Sequence, residues 1–98
     1  LEDALQPPFA ARSLYEAGAL ISGASDWGVS SPNPFLAISN AITREPASER
    51  MTREAMLYAY TLNAAMVLGM ADTIGSIEPG KQADFALVDR DLLRIPDG

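Results

Sequence analysis

The side chain with the clearest potential for chemistry is Asp26, which stands between Ser25 and Trp27. A carboxylate can ligate a metal ion, or accept a proton and return it. Asp26 follows the short apolar run 19–24, and α/β barrels place catalytic groups at the carboxyl ends of buried strands. Asp26 is therefore a candidate catalytic and metal-binding residue. The alternative, which position alone favours, is an ordinary turn residue or helix cap.

The two neighbours of Asp26 are candidates for substrate contact. Ser25 and Trp27 are placed to line a pocket, although packing of the loop explains an aromatic residue there equally well. The chain contains no histidine and no cysteine, so it lacks the commonest general base near neutral pH and the thiolate ligands of zinc. One carboxylate is fewer than the roughly three protein ligands of a catalytic zinc. We therefore expect the chain alone to hold no metal or other cofactor.

Helical patterns surround this site. Three helices are predicted, and they span the residues from Pro7-Pro8 to about Ala17, residues 34–44 and residues 52–69. Asn33 and Thr52 precede the second and third helices and are predicted N-caps. Thr61 is a candidate second cap inside the third helix. Polar loops connect these predicted helices.

Three short runs have the pattern of strands. Residues 19–24 are mostly apolar, which is typical of a strand covered on both faces, and residues 74–77 and 84–89 are further candidates. The turn at 78–81 carries Pro and Gly at its central positions, which favours type II and predicts a hairpin or an Ω-like corner. One buried strand needs neighbours on both sides, and these runs are too few to provide them.

The segment from Met51 to Met70 contains all four methionines of the chain. Methionine at helical spacing is usually core filler because its unbranched side chain adapts to irregular gaps. Asn63, in the same segment, is a candidate buried polar anchor near Thr61. We therefore expect these methionines to fill the core and not to contact a cofactor.

Composition limits the class of protein. The chain has 98 residues, 48% of them hydrophobic, which suits one small globular unit. Seven basic and thirteen acidic residues give a net charge of −6, which repels nucleic-acid phosphates and anionic membranes. Nucleic acid and membranes are therefore not expected as partners. The cytoplasm is the expected location. The start at Leu1 indicates a piece of a longer protein.

Two segments resemble a known family. Residues 24–29, Ala-Ser-Asp-Trp-Gly-Val, resemble the Gly-Ser-Asp-Trp-Pro-Val segment after the eighth barrel strand of the amidohydrolase superfamily, in its family 3 branch. Ala24 and Gly28 depart from that pattern, whereas Asp26 matches it. Residues 60–89, from Tyr-Thr-Leu-Asn-Ala-Ala to Ala-Asp-Phe-Ala-Leu-Val-Asp, are similar to the C-terminal signature of the superfamily. The resemblance covers nearly the whole chain.

The resemblance implies an α/β fold. Residues 1–70 would be the end of a (β/α)8 TIM-type barrel, with its last strand at about 19–24 and its following helices at 34–44 and 52–69. Residues 71–98 would form an incomplete part of a small β-sandwich. The missing partners of the strands would then lie in other parts of the protein.

The resemblance also implies an activity. The full-length enzyme would be a metal-dependent amidohydrolase that hydrolyses non-peptide, amide-like C–N bonds of a small molecule. Asp26 would bind a divalent metal, usually zinc, and shuttle a proton, and the chain alone would be inactive. The alternative is a non-catalytic α+β module that self-associates through unpaired strand edges. A His-x-His strand in the sequence that precedes Leu1 would favour the enzyme over the self-associating module.

Overall fold

The regular structure of the chain is helical in the computed structural model, which describes residues 9–97. Its elements are helices α1 (Ala11–Glu16), α2 (Pro34–Thr43), α3 (Arg53–Tyr60) and α4 (Leu62–Val67), with a 3-10 turn at Ala47–Glu49. The predicted start of the first helix at Pro7-Pro8 lies outside the described residues. Within residues 9–97, no helix is long and apolar enough to cross a membrane.

The N-caps predicted for α2 and α3 are confirmed. The Asn33 side chain accepts a hydrogen bond from the Phe35 amide at 3.0 Å, and the Thr52 hydroxyl accepts one from the Ala55 amide at 3.2 Å. Each satisfies an amide that would otherwise lack a partner in the first helical turn. These side chains fix where the two helices begin.

Thr61 interrupts the third predicted helix, and it does so without acting as a cap. Its backbone leaves the helical region at φ −125° and ψ −94°, which separates α3 from α4. Its hydroxyl donates to the Leu57 carbonyl at 2.6 Å and makes no capping bond to α4. The helix therefore restarts at Thr61 as predicted, but the Thr61 side chain makes no capping hydrogen bond to α4.

The core lies where α2 and the loop after it pack on α3. Its buried side chains are Met51, Ala55 and Met56. Partly buried apolar residues pack against them: Ala11, Ile21, Ile38, Ala41, Ile42 and Tyr60. Only two of the four methionines fill the core, because Met66 and Met70 are exposed.

Glu49 ties α1 to the 3-10 turn. Glu49 is only 4% exposed, and its carboxylate accepts hydrogen bonds from the Ser13 hydroxyl and, at 3.0 Å, from the Ser13 amide. These two bonds, the hydroxyl first, hold the pKa of Glu49 below its ordinary value, with a smaller contribution from the positive charge of Arg44. Hydrogen bonding to the charged form explains how a carboxylate is kept at a buried position.

The prediction of an α/β fold, a (β/α)8 barrel fragment with part of a β-sandwich, is wrong. The described residues contain no β-strand, and their only bridge is an isolated one between Trp27 and Ser30. Residues 19–24, 74–77 and 84–89 have irregular backbone. A strand exists only through hydrogen bonds to a neighbouring strand, and these runs lie beside helices and loops.

The predicted turn at 78–81 is confirmed. The Lys81 amide donates to the Glu78 carbonyl at 3.2 Å, and Gly80 has φ +90°, as the third position of a type II turn requires. The Gln82 amide donates to the Thr73 carbonyl at 2.8 Å, which brings the two ends of the loop together. Since no strands flank it, the corner is the Ω-like alternative and not a hairpin.

Candidate functional site

Asp26 lies at the tip of an exposed turn. Its backbone is in the left-handed region at φ +49°, which aspartate tolerates better than most side chains. Its carbonyl accepts a hydrogen bond from the Val29 amide at 2.9 Å, closing the turn. Within residues 9–97, no hydrogen bond engages the Asp26 carboxylate. The turn therefore presents the carboxylate to solvent.

Ser25 and Trp27 flank the carboxylate in different ways. Ser25 is half-buried, and its carbonyl accepts a hydrogen bond from the Ser30 hydroxyl. Trp27 is 79% exposed, so within the described residues it does not pack the loop. An exposed indole next to a carboxylate is available for contact with another molecule or another part of the protein.

The segment before Asp26 is attached to the corner between α3 and α4. The Gly23 amide donates to the Ala59 carbonyl at 2.9 Å, and the Asn63 side-chain amide donates to the Ile21 carbonyl at 3.0 Å. Gly23 also lies against the Tyr60 ring, where a Cβ would approach to 2.3 Å. These contacts replace the strand pairing that the apolar pattern had predicted.

The described residues do not fit a resident metal ion. They contain no group of three or more acidic, histidine or cysteine side chains that could hold one, and the whole chain lacks histidine and cysteine. Asp26 is a single exposed carboxylate. Three protein ligands, as in a catalytic zinc site, are therefore not assembled by this part of the protein.

An apolar groove lies away from Asp26. It has a volume of about 620 Å³ and runs between the α3–α4 corner and the C-terminal segment, and its lining includes Tyr60, Leu68, Ile74, Phe85 and Leu92. Ser25, Asp26 and Trp27 do not line it. The three predicted site residues are therefore adjacent in one turn but are not joined to this groove.

The sequence as a whole matches a known family. The family model described as the amidohydrolase family matches residues 2–98. The chain belongs to the amidohydrolase family. Members of this family are generally metal-dependent. The family resemblance read from residues 24–29 and 60–89 is thereby confirmed.

Curated relatives of this amidohydrolase chain are much longer than it is. It is 38% identical over 97 residues to imidazolonepropionase of Bacteroides fragilis, covering 94% of this chain and 22% of that protein. It is 34% identical over 97 residues to N-substituted formamide deformylase of Arthrobacter pascens, covering 92% and 18%. It is 34% identical over 95 residues to Protein LONG AFTER FAR-RED 3 of Arabidopsis thaliana, covering 89% and 16%.

The chain thus spans about a fifth of the length of the curated relatives it matches. No solved structure gave a significant match. The comparisons establish the family of this chain, and they leave the roles of Ser25, Asp26 and Trp27 as predictions. Sequence reasoning also missed the attachment of Ile21 and Gly23 to the α3–α4 corner. Only the polar side chain of Asn63 hinted at it.

Proposed function

We propose that this chain is the C-terminal part of a longer hydrolase that cleaves C–N bonds of an amide-like small molecule. Membership of the amidohydrolase family over residues 2–98 carries the proposal. The name of one relative, N-substituted formamide deformylase, describes removal of a formyl group from nitrogen. An amide-like substrate with a cleavable C–N bond is consistent with that name.

In this proposal Asp26 is the general base. Its carboxylate takes a proton from water as the water oxygen bonds to the substrate carbonyl carbon. It then returns the proton to nitrogen as the C–N bond breaks, which yields a carboxylic acid and an amine. The exposure of the carboxylate, on a turn that the Val29 amide closes by bonding the Asp26 backbone carbonyl, supports this role. Ser25 and Trp27 contact the substrate beside it.

A metal contact at Asp26 is part of the same proposal. A divalent ion, zinc by preference, lowers the pKa of water and polarises a carbonyl when it is bound. Since the described residues do not assemble a metal site, the other ligands come from parts of the protein outside this chain. The isolated chain is accordingly expected to have no turnover.

The test is Asp26→Asn in the full-length protein, assayed with N-substituted formamides and cyclic amides. Loss of a general base is expected to lower kcat by about 10²- to 10⁴-fold. The thermal midpoint should be unchanged because the side chain of Asp26 is exposed and its carboxylate makes no hydrogen bond within the described residues. Steady-state kinetics and calorimetry on the same preparation measure both quantities.

Asp72→Asn is the matched control, since Asp72 is likewise an exposed aspartate in a turn. It should leave kcat within about twofold of the parent, as surface changes usually do. Turnover that survives Asp26→Asn would remove Asp26 from the chemistry and restore its interpretation as a turn residue.

Self-association of the isolated chain stays a prediction, but its physical basis changes. Residues 9–97 have no strand edges to pair. Exposed apolar side chains such as Phe85 and Leu87 are present instead, and large exposed apolar surface favours association. The cytoplasmic location is also proposed, together with a small-molecule partner and no nucleic-acid or membrane partner.

A further inference from the structure

We infer that Asn63 is a positioning residue for Asp26, an inference that rests on the proposed role of Asp26. The side chain of Asn63 reaches the segment leading to Asp26 from a helix that is distant in sequence. Together with Gly23 it attaches this segment to the corner between α3 and α4. The direction in which the Asp26 carboxylate points is therefore set at Asn63.

The first contact is the hydrogen bond from Asn63 Nδ2 to the carbonyl oxygen of Ile21, at 3.0 Å. Both groups are partly buried, so water competes poorly for them. Asn63 lies in the first turn of α4, where the helical backbone limits its freedom. The Ile21 carbonyl thus has a fixed donor in place of a neighbouring strand.

The second contact lies at Gly23, two residues further along. Its amide donates to the Ala59 carbonyl near the end of α3. A side chain at this position would overlap the Tyr60 ring, at 2.3 Å from Cε2, so the backbone lies directly against that ring. Asn63 and Gly23 therefore hold the segment from both sides of the Thr61 break.

Little chain separates these anchors from the carboxylate. Asp26 follows Gly23 by three residues, which span at most about 11 Å. The turn beyond is closed by the bond from the Val29 amide to the Asp26 carbonyl. A shift of the segment at Ile21 and Gly23 is therefore passed to a compact turn that moves with it. Misplacement by about 1 Å is enough to lower turnover strongly.

The test is Asn63→Asp in the full-length protein at neutral pH. The substitution keeps the shape of the side chain but replaces the donor with a carboxylate, which repels the Ile21 carbonyl. Amide hydrogen exchange in a peptide covering residues 19–30 should quicken by roughly tenfold. The value of kcat should fall by about 10- to 100-fold with KM little changed.

Asn40→Asp is the matched control, because it adds the same charge at an exposed position of α2. It should change neither exchange in residues 19–30 nor kcat. Asn63→Gln keeps the donor and should retain most of kcat. If Asn63→Asp fails to fold, the uncharged Asn63→Ala is judged by the same two measurements.

The outcomes separate this inference from the proposed function. Unchanged exchange in residues 19–30, or faster exchange with unchanged kcat, would overturn the positioning role of Asn63. Such a result leaves the Asp26→Asn test intact. Conversely, if Asp26→Asn retains turnover while Asn63→Asp still loosens residues 19–30, the attachment is real but serves stability alone, and the positioning role is also overturned.

Discussion

Two apolar regions of this chain differ in how far their side chains are buried. The helical core, residues 34–60, buries Met51, Ala55 and Met56 where α2 packs on α3. The C-terminal segment, residues 77–97, is also rich in apolar side chains, yet Phe85 is largely exposed and Leu87 is 100% exposed. Hydrophobic composition alone therefore does not decide which of these side chains leaves water.

The difference lies in where the backbone finds its hydrogen bonds. An α-helix pairs its own amides and carbonyls, so an apolar face can be buried as soon as one other element packs on it. An extended run must find a partner strand before its backbone can be buried. The C-terminal segment has no such partner among the described residues, so side chains such as Phe85 and Leu87 stay in solvent.

The largest effect is expected in the helical core. Met56 is 7% exposed, so Met56→Ala should lower the free energy of unfolding by about 2–4 kcal/mol through lost burial and a cavity. Leu87→Ala, in the exposed segment, should change it by less than about 0.5 kcal/mol. Urea unfolding followed by circular dichroism measures both. Equal losses would mean that the two regions are packed alike.

A medium effect, dependent on pH, is expected at Glu49. Because the Ser13 hydrogen bonds lower its pKa in the folded state, the unfolded chain binds this proton first. The stabilisation is full above the ordinary value of about 4.5 and is lost as pH falls through the lowered folded pKa. Unfolding midpoints measured across this range should drop, and Glu49→Gln should flatten the decline.

Glu54→Gln is the control for that titration, since Glu54 is exposed at the start of α3. Its pH profile of unfolding should follow that of the parent chain. A Glu49→Gln variant that kept the full acid decline would assign the decline to other carboxylates and weaken the distinction between the core and the segment.

The smallest effect is expected where the two regions meet. Arg53, in α3, donates to the Leu92 carbonyl at 2.9 Å and pairs with the Asp97 carboxylate. Arg53→Ala should cost less than about 1 kcal/mol, because the Asp97 partner is exposed and salt screens the pair. Hydrogen exchange should quicken in residues 90–97 alone.

Arg94→Ala serves as the comparison, because the Arg94–Asp91 pair joins two exposed side chains within the segment itself at 3.3 Å. It should leave exchange throughout the helical core and the segment unchanged. Faster exchange across α2 and α3 in Arg53→Ala would show that the segment stabilises the core, and the two regions would then not be independent.

Local features of the fold could be predicted from the sequence. Three of them are the caps at Asn33 and Thr52 and the turn at 78–81. Each depends on a few neighbouring residues whose types favour its geometry. The sequence placed the helix break correctly at Thr61. It did not predict that the Thr61 hydroxyl donates to the Leu57 carbonyl, one turn earlier in the helix. The division of the chain at residue 70 stays a prediction.

In the candidate site, too, the sequence predicts the local features and not the contacts between distant residues. The sequence places Ser25, Asp26 and Trp27 side by side, and their types suggest chemistry. It could not give the bond between Asn63 and Ile21, whose residues are 42 apart in sequence, or the approach of Gly23 to the Tyr60 ring. Those contacts form only when the chain bends at Thr61, between α3 and α4.

The sequence by itself determined the family, the helix starts, the type of the turn at 78–81 and the identity of the candidate carboxylate. Only the tertiary structure decided that the strand-like runs at 19–24, 74–77 and 84–89 remain irregular, and that the first of them is attached to a helical corner. The physical reason is that caps and turns satisfy backbone hydrogen bonds among near neighbours. A strand depends on partners that its own residues cannot specify.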